Sequence, residues 1–406
     1  MNRVGKIVGL LLCMACMLPL MAQTSMPIGL EAMLVLGNDE DYGTSRFTAL
    51  AGAMTAVGGD PSAAKVNPAG LGVYRHSQFS ITADGMLMHF WQNEAATRGP
   101  MYDRWHLAQV SYVFAFVHPE RLKGVVANNL MISYAQRAEM TRSLTLNDRN
   151  LRPNAAADWL ELYDDEYGSR RNIDLHYAMN ISNRCYWGIG MTLEWLNMRQ
   201  TMDRWEYRSE GRRSEPWTYD WNRTTLGKAV GWGASAGLLV HPVRMLRIGV
   251  AVESPMVGRM RQTEYYKEEI NSYVYNSPDY NTSWKYLTPM KVSAGLALQW
   301  KNHGLLSMQY DMRWHALTGA IHTARAGIEG VIGKHWLLDA GYSYTTAYSA
   351  QQVGVGFNYV GHWFRLGFAY QHRWSTGLAY EPLYFIHVDT YRTAVNRFVL
   401  TFQWNS

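Results

Sequence analysis

From Phe79 onward, apolar and polar residues alternate with a period of two, in segments of about ten residues, the length a tilted barrel strand needs to cross a bilayer. The last segment sets Phe398, Leu400, Phe402 and Trp404 on one face and Arg397, Val399, Thr401 and Gln403 on the other. Phe364, Leu366, Phe368 and Tyr370 alternate with Arg365, Gly367, Ala369 and Gln371, and Val353, Val355 and Phe357 with Gln352, Gly354 and Gly356. Leu246, Ile248 and Val250, and earlier Ile173, Leu175 and Tyr177, repeat the arrangement. One face is apolar and ends in aromatics; the other is glycine, polar and charged. This is lipid-out, lumen-in patterning, and it predicts a transmembrane antiparallel β-barrel, an all-β fold.

Fourteen such segments are found, near 77–91, 104–117, 126–139, 171–182, 185–201, 225–240, 245–261, 289–300, 304–315, 320–332, 335–346, 351–360, 362–374 and 391–404. Connections after even-numbered strands are tight, at 118–124, 183–184, 241–244, 301–303, 333–334 and 360–361, whereas those at 141–170, 202–224, 262–288 and 375–390 are long. Short periplasmic turns and long outer loops are the expected asymmetry. It puts the C-terminus, and whatever precedes the first strand, on the periplasmic side. On the lumen face Gly354 is expected to accept a large side chain, while arginine at Leu366 or Ile248 on the lipid face is not.

The first residues change the compartment. Arg3 and Lys6 precede an apolar run from Ile7 to Met21, with Ala22-Gln23 as the cleavage point, so residues 1–22 read as a secretory signal peptide. A lipid-anchored reading at Cys16 lacks the usual leucine three residues earlier. Cleavage leaves Cys185 alone, and no internal disulfide staples the fold. The mean hydropathy of -0.24 and the lack of a long apolar run argue against membrane helices. The 16 Trp and 26 Tyr suit a membrane-interface protein. The net charge of +5, without basic runs, argues against nucleic acid as a partner.

Residues 46–72 break this pattern. They are rich in Ala and Gly, carry only Arg46, Asp60 and Lys65 as charges, and turn at Gly58-Gly59-Asp60-Pro61 and at Asn67-Pro68-Ala69-Gly70. Small side chains in short pieces suit a segment packed closely inside something else. A phosphate-cradling reading of 57–60 fails because Gly-Lys-Ser/Thr is missing and Pro61 removes an N–H. The run Gly43 to Arg46, Ala51 to Val57, Gly59 to Ser62 and Asn67 to Leu71 resembles the hatch signature of FadL-type outer-membrane transporters of hydrophobic compounds. With Gly72 to Arg75 following, it resembles most the branch found in Bacteroidetes-type bacteria. The resemblance implies a lumen plugged by residues 23–75 inside a barrel of residues 76–406. It further implies inward passage of a fatty-acid-like compound, gated by that hatch, and an entry groove framed by the third and fourth outer loops.

Those loops, by order 202–224 and 262–288, hold Trp205, Tyr207, Trp217, Trp221, Tyr265, Tyr266, Tyr273 and Trp284. Aromatics offer large apolar contact at low entropy cost, which suits ligand capture; loops that merely cover each other look the same. Asn128-Asn129 interrupts the third strand and is a candidate lateral opening, since the family resemblance implies release at that strand; hydration of the pair by headgroups is the other reading. The hinges available to a hatch are Gly58-Gly59 and Asn67-Pro68.

The inward charges Asp174, Glu194, Arg247, Glu253, Lys291, Asp311, Arg313, Arg325, Glu329, Asp339, Arg365 and Arg397 are of both signs, which predicts pairing across the lumen and with the hatch rather than an open wet porin. The 13 histidines form no ligand motif, so no metal or cofactor is expected. Asp164-Asp165-Glu166 in an outer loop has no nucleophile at a recognisable spacing, so no catalytic residue is assigned and an enzyme is not expected. The partners expected are outer-membrane lipid, a small hydrophobic ligand and the barrel-assembly machinery. A barrel that serves as a structural or secretion-associated adaptor for an exported protein is the alternative, and a barrel enzyme the remaining class.

Overall fold

The computed structural model describes residues 42–92, 97–98, 102–122, 124–148, 159–208, 217–270, 273–300, 303–315, 319–381 and 386–405. The expected signal peptide and residues 23–41 lie outside them. The described chain is a closed antiparallel barrel of fourteen strands. In chain order they are β1 (Gln78–Gln92), β2 (Tyr102–Leu122), β3 (Val125–Asp148), β4 (Trp159–Ile181), β5 (Cys185–Arg208) and β6 (Trp217–Val243). Then come β7, in the pieces Leu246–Glu253 and Val257–Ile270, and β8, in the pieces Tyr273–Asn276, Tyr280–Leu287 and Met290–Trp300. β9 (Gly304–His315), β10 (Gly319–Ile332), β11 (Trp336–Thr345), β12 (Ala350–Val360), β13 (Phe364–Glu381) and β14 (Ile386–Asn405) complete the wall. Closure is made by β1 on β14, from Gln78↔Asn405 to Gln92↔Tyr391. Among the described residues no helix is long and apolar enough to cross a membrane.

The alternation read from sequence is the alternation of the wall. Leu366, Leu400, Phe402 and Trp404 face outward and are exposed, while Arg397, Val399, Thr401 and Gln403 are buried on the inner face. An outer surface of Ile173, Leu175, Ile189, Leu193, Val250, Leu296, Val353 and Phe357 is far more apolar than water tolerates, and lipid is the solvent that suits it. At one end the turns are tight because the sequence supplies left-handed residues where they are needed. Ser182 and Asn183, both at φ near +57°, join β4 to β5, and Gly124 (φ 84°) and Gly333 (φ 64°) serve β2–β3 and β10–β11.

At the other end the strands run on. The segments 202–224 and 262–288, read as loops, are mostly paired strand: β5 and β6 zip from Met202↔Arg223 to Arg208↔Trp217, and β7 pairs with β8 from Val257↔Leu287 to Glu264↔Tyr280. Asp164-Asp165-Glu166 likewise lies within β4 rather than in a loop. Strands longer than 20 residues reach well past a bilayer that about ten residues cross, so these ends are hairpins standing in water.

The third strand also differs from expectation. Its register is continuous through Asn128 and Asn129, which pair with Phe116 and Ala115. The shifts lie between Val125 and Ala127 and between Gln136 and Ala138. Among the described residues the β2–β3 ladder climbs from Val117↔Ala127 to Gln109↔Ala135 and goes no further, while β3 continues paired to β4 alone. The discontinuity in the wall therefore falls at Gln136–Ala138, well above the asparagine pair.

Candidate functional site

Residues 42–74 form short pieces set against the inner face of the wall. Helix α1 (Ser45–Ala49) is capped by Thr44, whose hydroxyl accepts from Phe47 N, and α2 (Pro61–Val66) is capped by Asp60, which accepts from Ser62 N at 2.8 Å. A 3-10 turn (Pro68–Val73) starts at Asn67, whose Oδ1 accepts from Ala69 N. In all three, Ser/Thr/Asp/Asn sits at the N-cap, and in the last two proline occupies the first position, where its missing N–H costs nothing. Thr44 Oγ1 donates to the Asp60 carboxylate at 2.9 Å, tying α1 to α2. Gly58 and Gly59 turn the chain at φ 66° and 69°; a Cβ at Gly58 would strike Gly70 O, so that turn needs glycine twice over.

The wall holds this segment in two ways. Polar side chains reach it: Ser45 N donates to Thr401 Oγ1 (2.7 Å), Gln309 Oε1 accepts from Met54 N and Thr55 N (2.8 and 2.9 Å), Arg325 donates to Ala51 O (2.8 Å) and Arg247 to Val57 O (2.6 Å). Asn67 Nδ2 donates to Thr55 O and Leu238 O, Asn129 Nδ2 to Leu71 O (2.8 Å) and Tyr74 O (3.1 Å), and Asn180 Nδ2 to Gly72 O. Arg46 makes a two-pronged pair with Glu329, at 2.5 Å through Nε and 3.1 Å through Nη2. Burial works against the Arg46 charge, but Glu329 more than reverses it, and the guanidinium ends above its ordinary pKa.

Inward glycines supply the second hold. Gly188, Gly237, Gly249, Gly327, Gly341 and Gly354 approach the segment so closely that a Cβ at any of them would meet Pro68, Asn67, Thr55, Leu50 or Thr48. They are aligned across the ladders: Gly188 faces Gly237, Gly249 faces Gly295, and Gly327, Gly341 and Gly354 stand side by side on β10, β11 and β12. Each flat strip lets the backbone of the segment lie on the backbone of the wall. Gly354 is therefore not open lumen: a side chain there would run into Thr48 O and Ala49, contrary to the tolerance expected from its lumen face.

Several of the other inward charges pair within the wall, while Asp174 is held by Ser133, Asn172 and Thr192 and Asp339 by Asn358. Arg325 bonds Asp311 (2.8 Å), Arg170 bonds Glu194 (2.9 Å), Arg397 bonds Asp84 and Arg137 bonds Glu253. The expected mixed-sign pairing is thus present both across strands and onto the segment at Arg46.

Further up the lumen the inner face carries an apolar patch among polar neighbours such as Arg170, Gln262 and Glu264. Leu196 and Met198 on β5, Ala229 on β6, and Met256 and Met260 at and within β7 form one buried cluster, with Trp284 of β8 packed on it. Met198 and Met260 fill the space over Gly227, and Met256 the space over Gly233. A second cluster joins Met86, Met88 and Val395. Sequence reasoning passed over these methionines. Their signal was the even spacing, Met86–Met88, Met198–Met202 and Met256–Met260, which puts each set on the inner face among polar neighbours.

Of the aromatics named for ligand capture, Trp284 joins the lumen cluster and Tyr266, half-buried, bonds Glu264 with Arg223 over its ring. Trp205, Tyr265 and Tyr273 are exposed. Tyr207, Trp217 and Trp221 are placed by backbone alone, on β5 and β6. Among the described residues no group of His, Cys, Asp and Glu is arranged to hold a metal ion.

No protein-family model and no curated protein matches this chain. Solved structures do. The toluene transporter TodX of P. putida superposes with a TM-score of 0.62 at 13% identity, over 89% of this chain and 99% of that one. A FadL homologue from Pseudomonas aeruginosa gives 0.64 at 11%, over 89% and 98%. The toluene transporter TbuX of Ralstonia pickettii gives 0.55 at 13%, over 89% and 98%. At these identities the likeness is one of fold.

Proposed function

We propose that this protein is an outer-membrane channel for small hydrophobic, fatty-acid-like compounds, of the branch that the Gly72 to Arg75 form suggests, with residues 42–74 as the hatch that plugs its lumen. The observation that carries the reading is the methionine-rich inner face above the hatch. A porin for hydrated solutes has no use for Met198, Met256, Met260 and Trp284 gathered on the lumen side, whereas thioethers are polarizable, adaptable partners for apolar ligands of varied shape. Solved structures of this fold support it: two are toluene transporters and one is a monoaromatic hydrocarbon channel.

A compound captured between the outer hairpins enters the methionine cluster, where dehydration of its apolar surface drives binding. It leaves when the hatch shifts, or through the seam above Gln109↔Ala135 where β2 and β3 part. A cross-link tests the hatch. A Cβ at Gly295 lies 3.0 Å from Thr55 Cβ, so with Cys185→Ser in the background Thr55→Cys with Gly295→Cys needs only a small shift to reach disulfide geometry. Uptake of a labelled long-chain fatty acid and of toluene is then measured in a host lacking its own carrier. Uptake lost on oxidation and restored by reductant supports hatch gating; unchanged uptake with the cross-link complete assigns passage to the seam. No uptake of either compound by the reduced or unmodified protein rejects the transport reading.

A further inference from the structure

A band of positive charge crosses the outer surface of the barrel. On β4 to β8 the outward positions up to a common level are apolar: Ile173 and Leu175, Met191 and Leu193, Val230 and Trp232, Val250, Leu296 and Leu298. Directly above stand Arg171 (β4), Arg199 (β5), Lys228 (β6), Arg259 and Arg261 (β7) and Lys285 (β8), all exposed. None has an acidic partner among the described residues. Acidic residues enter the outward rows only higher, at Asp165 and Asp203, which sit opposite Thr201 and Asn222, and at Asp220 and Glu269, which sit opposite each other.

Height and register say what the band meets. From the turns at Val243, Leu246 and Trp300 to Lys228, Arg259, Arg261 and Lys285 the strands run 13 to 15 residues, a rise of about 33–38 Å at about 3.3 Å per residue and a tilt of about 40°, which clears the apolar band of about 25 Å on such barrels and stays within the roughly 40 Å of a bilayer with its headgroups. The cations therefore lie at the outer headgroup level. Within the band two like-charged pairs face each other across the ladders, Lys228 against Arg261 and Arg259 against Lys285. Like charges directly opposite destabilise a sheet, and only an anion set between each pair turns the arrangement into a gain. Arg259 and Arg261 are on the same face of one strand, so the two anion positions are neighbours, about 7 Å apart along it. Beneath them the wall is apolar, so the ligand must be amphipathic, with phosphates above and acyl chains below.

We infer that this face binds a lipid whose headgroup carries two phosphates, as the diphosphorylated glycolipids of an outer leaflet do. The inference rests on the reading of the wall as membrane-spanning. The four-fold variant Lys228→Gln, Arg259→Gln, Arg261→Gln, Lys285→Gln is compared with the unmodified full chain in bilayer nanodiscs containing diphosphoryl lipid A, monophosphoryl lipid A, phosphatidylglycerol or phosphatidylcholine. Native mass spectrometry counts retained lipid, and heat-shift electrophoresis in neutral detergent reports folding.

Expected are retention of diphosphoryl lipid at least ten-fold above phosphatidylcholine, intermediate retention of the two single-phosphate lipids, and loss of that preference in the variant. In neutral detergent the variant should unfold at an equal or higher temperature, because its like-charge repulsion is gone. Equal retention of all four lipids by the unmodified protein, or an undiminished preference in a folded variant, overturns the proposal. A lower unfolding temperature for the variant in neutral detergent also overturns it, since the cations would then be serving the fold. Failure of the unmodified protein to enter any bilayer rejects instead the membrane-spanning reading beneath it.

Discussion

Replacing the three aligned glycines Gly327, Gly341 and Gly354 by valine should expel the inner segment from its seat while leaving the barrel closed. At Gly341 a Cβ would meet the Leu50 carbonyl carbon and Ala51 N, and at Gly354 the Thr48 and Ala49 carbonyls. These are backbone atoms that cannot swing aside as a side-chain tip can. Overpacking of this kind costs about 1–3 kcal/mol per site. Against it stand the bonds from Thr401, Gln309, Arg325, Arg247, Asn129 and Asn180, together with Arg46–Glu329. At about 1 kcal/mol net each, somewhat more where charge is involved, they total roughly 10 kcal/mol.

A single valine therefore loosens the segment without releasing it, whereas three, costing roughly 3–9 kcal/mol together, approach the strength of the hold. The assay is trypsin cleavage at Arg46 and Lys65 in detergent, read beside heat-shift electrophoresis for the barrel and single-channel conductance in a planar bilayer. Expected are slow cleavage for Gly341→Val, fast cleavage and a raised conductance for the triple variant, and a folded barrel in both. The control is Gly330→Val on β10, the strand of Gly327, where the nearest atom to a Cβ is 4.0 Å away. If the triple variant keeps the segment protected and the conductance low, or if Gly330→Val acts like it, the glycine strips are not what seats the segment.

Further tests address other parts of the molecule. Leu366→Arg, on the exposed lipid face, should destabilise the barrel by about 2–4 kcal/mol near the midplane, read as a lower urea midpoint in liposomes, while Leu366→Met at the same position should leave the midpoint unchanged. Glu329→Gln leaves the buried Arg46 guanidinium without its carboxylate and should cost about 3 kcal/mol of segment stability, seen as earlier cleavage at Arg46; Arg46→Met with Glu329→Gln together should recover part of it. With Cys185→Ser, a cysteine at Tyr275 should label from outside intact cells and one at Lys334 should not, because they lie at opposite ends of the strands. Met198→Glu with Met260→Glu should fold and abolish uptake of apolar compounds, since two carboxylates desolvate poorly beside an apolar ligand.

The wall was legible because each strand answers to two solvents. Leu366, Phe402 and Val355 meet lipid, Gln371, Thr401 and Gly354 meet the interior, and a period-two pattern follows wherever those two environments differ. Where they do not differ the pattern vanishes, and so did the reading. Above the membrane both faces of β5 and β6 are in water, so Asp203, Arg204 and Glu206 show no alternation, and pairing carried by backbone alone looked like loop. The asparagine pair marks no break in register, for a related reason. Asn128-Asn129 breaks an apolar run, yet Asn129 faces inward to bond the carbonyls of Leu71 and Tyr74. The β2–β3 ladder ends at Ala135 and the β3 register shifts between Gln136 and Ala138, within an Ala-Gln-Arg-Ala sequence that gives no outward sign.

The same energetics bear on the route of a ligand. Lifting all of residues 42–74 from the wall at roughly 10 kcal/mol leaves an open population on the order of 10⁻⁷, too small to carry steady flux. The hinge glycines do not ease this, since Gly59 N is bonded to Gly70 O and the turn is packed against Val73. A smaller motion meets less resistance. The 3-10 turn Pro68–Val73 is bonded to β3 and β4 through the Asn129 and Asn180 side chains, Leu71 packs on Val113, Met131 and Ala178, Pro68 lies on Gly188, and Asn67 caps the turn from within the segment. Those bonds cost about 2–3 kcal/mol to break and exposing Leu71 about 2 kcal/mol more, an open population on the order of 10⁻³ to 10⁻⁴. That turn sits beside β3, the strand that parts from β2 above Ala135. On the proposed transport reading, a local shift of the turn joined to the break in the β2–β3 ladder would give a passage that displacement of the whole segment does not, and Asn129→Ala with Asn180→Ala should then raise the rate of uptake rather than only loosen the fold.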